Sequence, residues 1–414
     1  MKNLKILLII QLISLMLMPL MQGFLTSAGG ISLQTTTGVS DYNIVNSVTY
    51  QVDISFNLTH KSYSGPGDDG DYLFKFARLN DRQPNSPLTQ FCAPYQETTL
   101  SSHNITGTSG TPYLSLDRFN NTYDLFNGTL SPEESITLNQ RYVTKLNQVS
   151  FPSVTSIENY TTSSDIFTLY CNISETYYEK NDPSMIAASN AIVSPGDNPV
   201  EKAEKICNWV SNYLQYDGTL PSQEMGALWA LNNQRGDCSE YSTLMITLLR
   251  CQGIPARKVT GFVLDNNPNK QPQIGETFKF EFNSEGKNTL LGHAWVEYYV
   301  EGVGWIACDP TWHGQVNYFN KIDYLRLGYN VGAWFSIPGG LPDVSEYTPQ
   351  LFVYEVDSTF TFDYELLLTV IDSTLLQIMP IIIVSSIVGA VVLIAVIAIV
   401  LEVRKKKKRN SYYS

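Results

Sequence analysis

Basic charge is scarce in this 414-residue chain except at its two ends. Of 27 Lys and Arg, eight sit at Lys2, Lys5 and Arg404 to Arg409, while Asp and Glu number 39. An acidic body offers no basic face for phosphate contacts, which excludes nucleic acid as a partner. Charged residues make up only 16% of the chain, so the remaining charge reads as ordinary solvated surface. Histidine occurs four times and cysteine six, with no cysteines in the close pairs that structural zinc sites use. A zinc site made from Cys238, His293 and Cys308 is therefore rejected, and no metal or cofactor is expected. His60, His103 and His313 belong to no recognisable motif and read as surface or packing residues.

Charge is also missing from one long stretch, Ser373 to Leu401, and Met379 to Leu401 is long enough to cross a bilayer. The basic cluster Arg404 to Arg409 follows at once, which by the positive-inside rule keeps the tail in the cytoplasm. At the other end, Lys2 and Lys5 precede an apolar run from Ile6 to Met21. Thr26-Ser27-Ala28 then offers small residues for cleavage, the pattern of a secretory leader. The expected topology is a leader over 1–28, a transmembrane helix over 375–401 and a basic cytoplasmic tail over 402–414. The body then faces the outside of the cell as a single-pass membrane protein. Six N-x-S/T sequons, at Asn57, Asn104, Asn120, Asn127, Asn159 and Asn172, are candidate glycosylation sites in keeping with that topology.

The body divides into two. Residues 29–180 read as an antiparallel β-sandwich. Val48 to Phe56 and Asp165 to Cys171 alternate with period two, and Pro, Gly, Asn and Ser clusters punctuate the segment. Its cysteines, Cys92 and Cys171, invite a disulfide in an oxidising compartment. Residues 181–335 open with a helix capped by Asn198, with Pro199 at its first position, Glu201 completing a capping box, and Val200, Ala203, Ile206, Val210 and Leu214 on one face. Residues 336–372 read as an extended juxtamembrane segment.

The stretch Arg235-Gly236-Asp237-Cys238-Ser239-Glu240-Tyr241 reads as a loop breaking into a helix at a cysteine. Tyr241, Leu244, Met245, Leu248 and Leu249 form its apolar stripe, and Gly253 and Pro255 end it. A thiol in the first turn meets unpaired N–H groups and the helix dipole, which lower its pKa toward the thiolate. Downstream, His293 opens a strand and Asp309 ends the next, so the three supply a nucleophile, a base and an orienting group. A two-residue turn at Gly302-Val303 would set His293 opposite Trp312, leaving Asp309 three residues out of register. A wider turn or a bulge closes that gap.

GDCSEYSTLMITLLRCQGIPAR (236–257) and GHAWVEYYVEGVGWIACDPTW (292–312), with the helix before them, resemble the transglutaminase-like superfamily, a papain-related cysteine-enzyme fold. The likeness spans roughly residues 183 to 330. It implies an α+β architecture in which the papain-like catalytic domain follows the sandwich, with Cys238 as nucleophile, His293 as base and Asp309 as orienter. It also implies acyl transfer from a peptide or glutamine amide through a Cys238 thioester, with peptidase or amidase hydrolysis expected over protein cross-linking. A peptide or protein outside the cell is the expected substrate. A non-catalytic binding module and an envelope structural protein are the other readings, and the intact Cys, His and Asp argue against both.

Other residues carry blander expectations. One of Tyr216 and Trp229 lines the acyl site or donates to an oxyanion, or both pack as core aromatics, the commoner fate of such rings. Trp295, Glu297 and Trp312 read as structural support. Cys207, Cys251 and Cys308 read as small buried hydrophobes, with a Cys207–Cys251 bond left open. The polar insertion Asp265 to Asn288, with a β-like segment at Thr277 to Phe282, is either a lid or a disordered loop.

Overall fold

In the computed structural model, the described residues are 42–61, 69–83, 86, 91–107, 113–117, 119–154, 157–172, 176–220, 224–332, 334–335, 344–345, 352–356, 360–375 and, further on, 396–398, 400–401 and 404. The expected leader lies outside them, as do nearly all of the expected membrane span and the basic tail. Among the described residues no helix is long and apolar enough to cross a membrane.

The front of the molecule is two antiparallel sheets. The larger runs in the order Thr277–Asn283, Phe360–Ser373, Asn43–His60, Ser135–Ser150, Lys321–Ile322, with Gln96–Thr106 also pairing to Ser135–Ser150. The smaller is ordered Phe352–Val356, Gly70–Ala77, Thr122–Leu130, Tyr113–Leu116. Period-two alternation explains the first strand: Val48, Tyr50, Val52, Ile54, Phe56 and Leu58 are buried, while the residues between them are not. Phe56 meets Phe74 and Phe76 of the smaller sheet at ring distances of 5.4 and 5.3 Å, so the two sheets share one apolar layer.

Behind them stands a third sheet, Gly304–Cys308, Gly292–Val300, Ala256–Val263 and Arg326–Val331, again antiparallel. One face, through Phe262, Leu327 and Tyr329, joins the apolar layer of the front sheets. The other packs against the helices Pro183–Ile192, Pro199–Tyr213, Ala227–Asn233 and Cys238–Cys251, which enclose a second core. The helix Pro199–Tyr213 carries the expected capping box, with Asn198 accepting from Val200 and Glu201 and Glu201 returning to the Asn198 N–H.

Several segments depart from expectation. Asp165 to Cys171 is not a strand but a short helical turn, Asp165–Phe167, running into a π-helical turn, Thr168–Asn172. Ser164 caps it by accepting from the Phe167 N–H at 3.2 Å, and its buried residues Phe167, Tyr170 and Cys171 follow helical spacing. The insertion carries the expected β-like segment, but as part of the front: Thr277–Asn283 pairs along Phe360–Ser373 at the edge of the larger sheet, while residues 265–276 run through turns. Phe360–Ser373 itself, all but its last residue in the stretch read as juxtamembrane, is a 14-residue strand that also pairs with Asn43–His60. Tyr364, Leu366, Leu368 and Val370 bury one of its faces. The larger sheet thus takes strands from far beyond residue 180, since long-range pairing leaves no local mark in the sequence.

The expected Cys92–Cys171 disulfide is absent, and both thiols are free. Cys92 Sγ hydrogen-bonds Glu297 Oε1 at 3.5 Å, whereas Cys171 Sγ lies against the Arg250 carbonyl at 3.8 Å. The Cys207–Cys251 pairing fails for the same reason: Cys207 hydrogen-bonds Cys308, and Cys251 Sγ meets the Lys180 carbonyl at 3.2 Å. Of the sequon asparagines, Asn104, Asn120, Asn127, Asn159 and Asn172 are exposed, and Asn57 is half-buried.

Candidate active site

Cys238 is the first residue of the helix Cys238–Cys251. Asp237 caps this helix by accepting from the Ser239 N–H at 2.7 Å, and Glu240 reaches back to the Asp237 N–H at 3.1 Å. Gly236 makes that return possible, since a Cβ at this position would stand 2.4 Å from the Glu240 Cβ. The helix start is also held from beneath. Glu224 accepts from Ser239 Oγ at 2.5 Å and Thr243 Oγ1 at 2.7 Å, and Lys258 Nζ pairs with Glu224 at 2.5 Å. Lys258 lies on Ala256–Val263, the strand beside His293, so this buried network ties the cysteine helix to the histidine sheet.

His293 and Asp309 meet. His293 Nε2 stands 2.7 Å from Asp309 Oδ2, and both residues are buried. The register explains it. Val300 pairs with Gly304 and Val296 with Cys308, so the turn is Glu301-Gly302-Val303, one residue wider than the two-residue alternative. That single step puts Asp309 an even number of positions from the residue opposite His293, hence on the same face of the ribbon. Asp309 then leaves the strand and caps the short helix Pro310–His313 through its Oδ1.

A third partner was not foreseen. Arg326 donates to Asp309 Oδ2 from Nε at 2.9 Å and Nη2 at 2.7 Å, and pairs with Asp323 at 3.0 Å. Burial alone would push the Asp309 carboxyl up, but His293 and Arg326 hold it well below the usual carboxylate range. Nothing in the spacing of Arg326, on a strand beyond the hairpin, marks this pairing.

The thiol is perturbed in the opposite sense to expectation. Burial pushes Cys238 up and Asp237 adds to the effect, while the Ala294 N–H donating to its sulfur and the Lys258 charge pull it down. The helix position therefore does not by itself make a thiolate here, because the sulfur is buried and its cap is an anion. The Ala294 contact sets the sulfur against the residue next to His293. Tyr216 is no core aromatic. It is 59% exposed, and its backbone pairs with Gly236, which places it beside the cysteine turn. Burial on its inner side, with Cys238 and Asp237 nearby, pushes its hydroxyl up to about 12. Trp229 is half-buried against the helix core, with Arg235 over its ring at 5.6 Å.

Trp295 is fully buried and stacks on His293 at 6.1 Å, and Glu297 is buried in an ion pair with Arg257 at 2.6 Å. Trp312 lies under the Arg326 guanidinium at 5.9 Å. The other histidines do have partners: His60 with the Leu130 carbonyl, His103 with Asp124, His313 with Asn208. Among the described residues no group of three or more His, Cys, Asp or Glu is placed to hold a metal ion.

Residues 186–310 match the family described as the transglutaminase-like superfamily. An uncharacterised protein of Haemophilus influenzae is 26% identical over 167 residues, covering 38% of this chain and 44% of the relative. A Pseudomonas aeruginosa protein-glutamine gamma-glutamyltransferase is 35% identical over 85 residues, covering 20% of this chain and 10% of the relative. The chain spans less than half the length of these curated relatives. A crystal structure of a provisionally assigned cysteine protease from Cytophaga hutchinsonii superposes with a TM-score of 0.51 at 14% identity, over 80% of this chain and 93% of the other. The fold around Cys238, His293 and Asp309 is therefore transglutaminase-like, mixed α/β with mostly antiparallel sheets.

Proposed function

We propose that the transglutaminase-like region of this chain is a cysteine acyl-transfer site, with Cys238 as nucleophile, His293 as base and Asp309 as orienting group. The observation that carries the reading is the buried His293–Asp309 contact of 2.7 Å on the strand whose next N–H, that of Ala294, touches the Cys238 sulfur. A single ionised sulfur is disfavoured in that burial, so proton transfer to His293 makes thiolate and imidazolium together, each neutralising the other. Asp309 holds Nε2, leaving Nδ1 to exchange the proton with sulfur. The thiolate attacks the carbonyl carbon of a peptide or glutamine amide. His293 returns the proton to the departing amine, and a Cys238 thioester remains for water or a second amine. The backbone N–H groups at the helix start are the fixed donors for the oxyanion, and exposed Tyr216 borders the same turn.

Hydrolysis is the favoured outcome. A site that holds water off the thioester needs a cover, and the segment best placed in sequence to be one, Asp265 to Asn288, instead gives a strand to the larger sheet. Acyl transfer to a second amine is the second reading, favoured by the glutamyltransferase name of the Pseudomonas relative. The leader-like N-terminus, the uncharged apolar run and the basic cluster support an anchored protein with residues 29–372 outside the cell and the tail inside. Protease shaving of intact cells should release most of the chain, and protection of the sequon-bearing region would reverse the orientation.

The catalytic test uses a glutamine-containing peptide and a labelled primary amine. Wild-type protein should release acid product faster than it incorporates amine, and Cys238→Ala should abolish both while leaving the fold intact. Amine incorporation outpacing hydrolysis selects the second reading, and turnover by Cys238→Ala removes the nucleophile assignment.

A further inference from the structure

The proposed chemistry uses one of six cysteines. Of the rest, Cys92 is bonded to Glu297, and Cys207 and Cys308 face each other in the helix core. Cys171 and Cys251 remain, and they share a corner at the end of the helix Cys238–Cys251 away from the site. Cys251 is the last residue of that helix, and Cys171 sits in the π-helical turn Thr168–Asn172 packed beside it. The Cys171 sulfur lies 3.8 Å from the carbonyl oxygen of Arg250, the residue bonded directly to Cys251. Lys180 closes the corner from the third side. Its carbonyl accepts from Cys251 Sγ at 3.2 Å, and its ammonium donates to the carbonyl of Cys171.

We propose that Cys171 and Cys251 are the disulfide-forming pair of this protein, a two-electron modification site taken by low-molecular-weight disulfides such as oxidised glutathione. Access and charge both suit it. Cys251 is only partly buried and can meet a soluble oxidant, while Cys171 is buried and serves as the resolving thiol. Burial raises both thiols, and the Lys180 ammonium, common to the two, works against that rise. In the first step the Cys251 thiolate attacks one sulfur of glutathione disulfide, forming a mixed disulfide and expelling a glutathione thiolate. In the second the Cys171 thiolate attacks the Cys251 sulfur and expels the second. The two protons given up by the cysteines pass to the two glutathione thiolates, so one disulfide is reduced for each one formed. The product joins residues 171 and 251 around a loop holding Pro183–Ile192, Pro199–Tyr213 and Cys238 itself. Closing so long a loop restricts the unfolded chain and fastens the far end of the cysteine helix.

The test is a redox titration of the full chain in glutathione buffers, quenched with an alkylator and followed by peptide mapping and melting. At the oxidised end a Cys171–Cys251 cross-linked peptide should appear with loss of two hydrogens. The melting temperature should rise by several degrees and fall back on reduction. Cys251→Ser should abolish both changes and leave Cys171 alkylatable. A bond between Cys171 and Cys92, a Cys207–Cys308 bond in its place, or glutathione held on Cys251 without resolution would each overturn the proposal. Mapping of the unsubstituted chain decides the matter even if Cys251→Ser folds poorly. The result is independent of the acyl-transfer reading, since it follows other cysteines than Cys238.

Discussion

Asp309 and Asp124 each hold an arginine and a histidine. Asp309 accepts from Arg326 and His293, and Asp124 from Arg78 and His103, all within 3.1 Å. Both carboxylates are buried, but their surroundings differ. His293 has a side-chain exposure of 5% and Arg326 of 2%, against 23% for His103 and 20% for Arg78. The Asp124 group lines a surface hollow with Ile105 and Leu114, and Gln140 is the third partner of that carboxylate. Among the described residues lining that hollow there is no cysteine and no helix start. At Asp309 the same three residue types include His293, whose chain neighbour Ala294 donates its N–H to the sulfur of Cys238 at a helix start. What separates the two is the thiol at a helix start beside one of them and its deeper burial, not the residue types themselves.

The contrast between the clusters breaks most directly at Asp309. Asp309→Asn should lower turnover by about 10⁴-fold, because the imidazole loses its orienting charge. It should also destabilise the fold by on the order of 3–5 kcal/mol, since buried Arg326 keeps only Asp323. Stability loss in this variant is a consequence of Arg326, which the triad motif alone does not reveal. The sign with pH follows from the depressed carboxyl. Its stabilisation is present above the ordinary Asp value of about 3.9 and lost as pH falls below it. Asp309→Asn should therefore lose less stability than wild type on acidification, as followed by denaturant titration across that range.

Lys258→Met sharpens the contrast from the helix side. It leaves Glu224 charged and buried under the cysteine turn, and should cost on the order of 3–5 kcal/mol in chemical unfolding. Alkylation of Cys238 should slow as well, because Lys258 is a positive charge acting on that sulfur. Unchanged stability would mean that the pair does not hold the helix start.

A smaller effect is expected at Glu240, whose carboxyl is pushed up to about 7 by burial and by its acidic neighbours Glu224 and Asp237. Its folded pKa lies above the unfolded value of about 4.3. Stability it contributes is therefore complete at low pH and lost as pH rises through about 7. Glu240→Gln should flatten that decline between about pH 4.3 and 7, with an offset at neutral pH of a few kcal/mol at most. A decline as steep in the variant as in wild type would place its origin elsewhere.

The smallest effect belongs to the hollow. His103→Ala should leave turnover unchanged and shift stability by less than about 1 kcal/mol, as for other partly exposed ion pairs. A loss of turnover at His103 would erase the distinction between the two clusters.

Local rules made much of this legible beforehand. The capping residues Asn198 and Asp237 and the apolar stripe from Tyr241 located two helices, because a cap is satisfied by groups within four residues of it. The alternation from Val48 to Phe56 located a central strand for the equally local reason that successive side chains point to opposite faces. The same rule misled at Asp165 to Cys171, where an alternating pattern was overridden by the Ser164 cap and by burial of Phe167, Tyr170 and Cys171 along one helical face.

The sequence by itself singled out Cys238, His293 and Asp309 as the candidates for chemistry, since they stand in motifs of a known type, and marked which ends of the chain are apolar or basic. Only the tertiary structure decided what those residues touch. It set Asp309 and His293 on one face through a three-residue turn, brought Arg326 to the carboxylate from a strand beyond the hairpin, and put Cys171 beside Cys251 instead of Cys92. It also drew Thr277–Asn283 and Phe360–Ser373 into the front sheet. Each of these is a contact between segments far apart in the chain, chosen by packing that has no local signature.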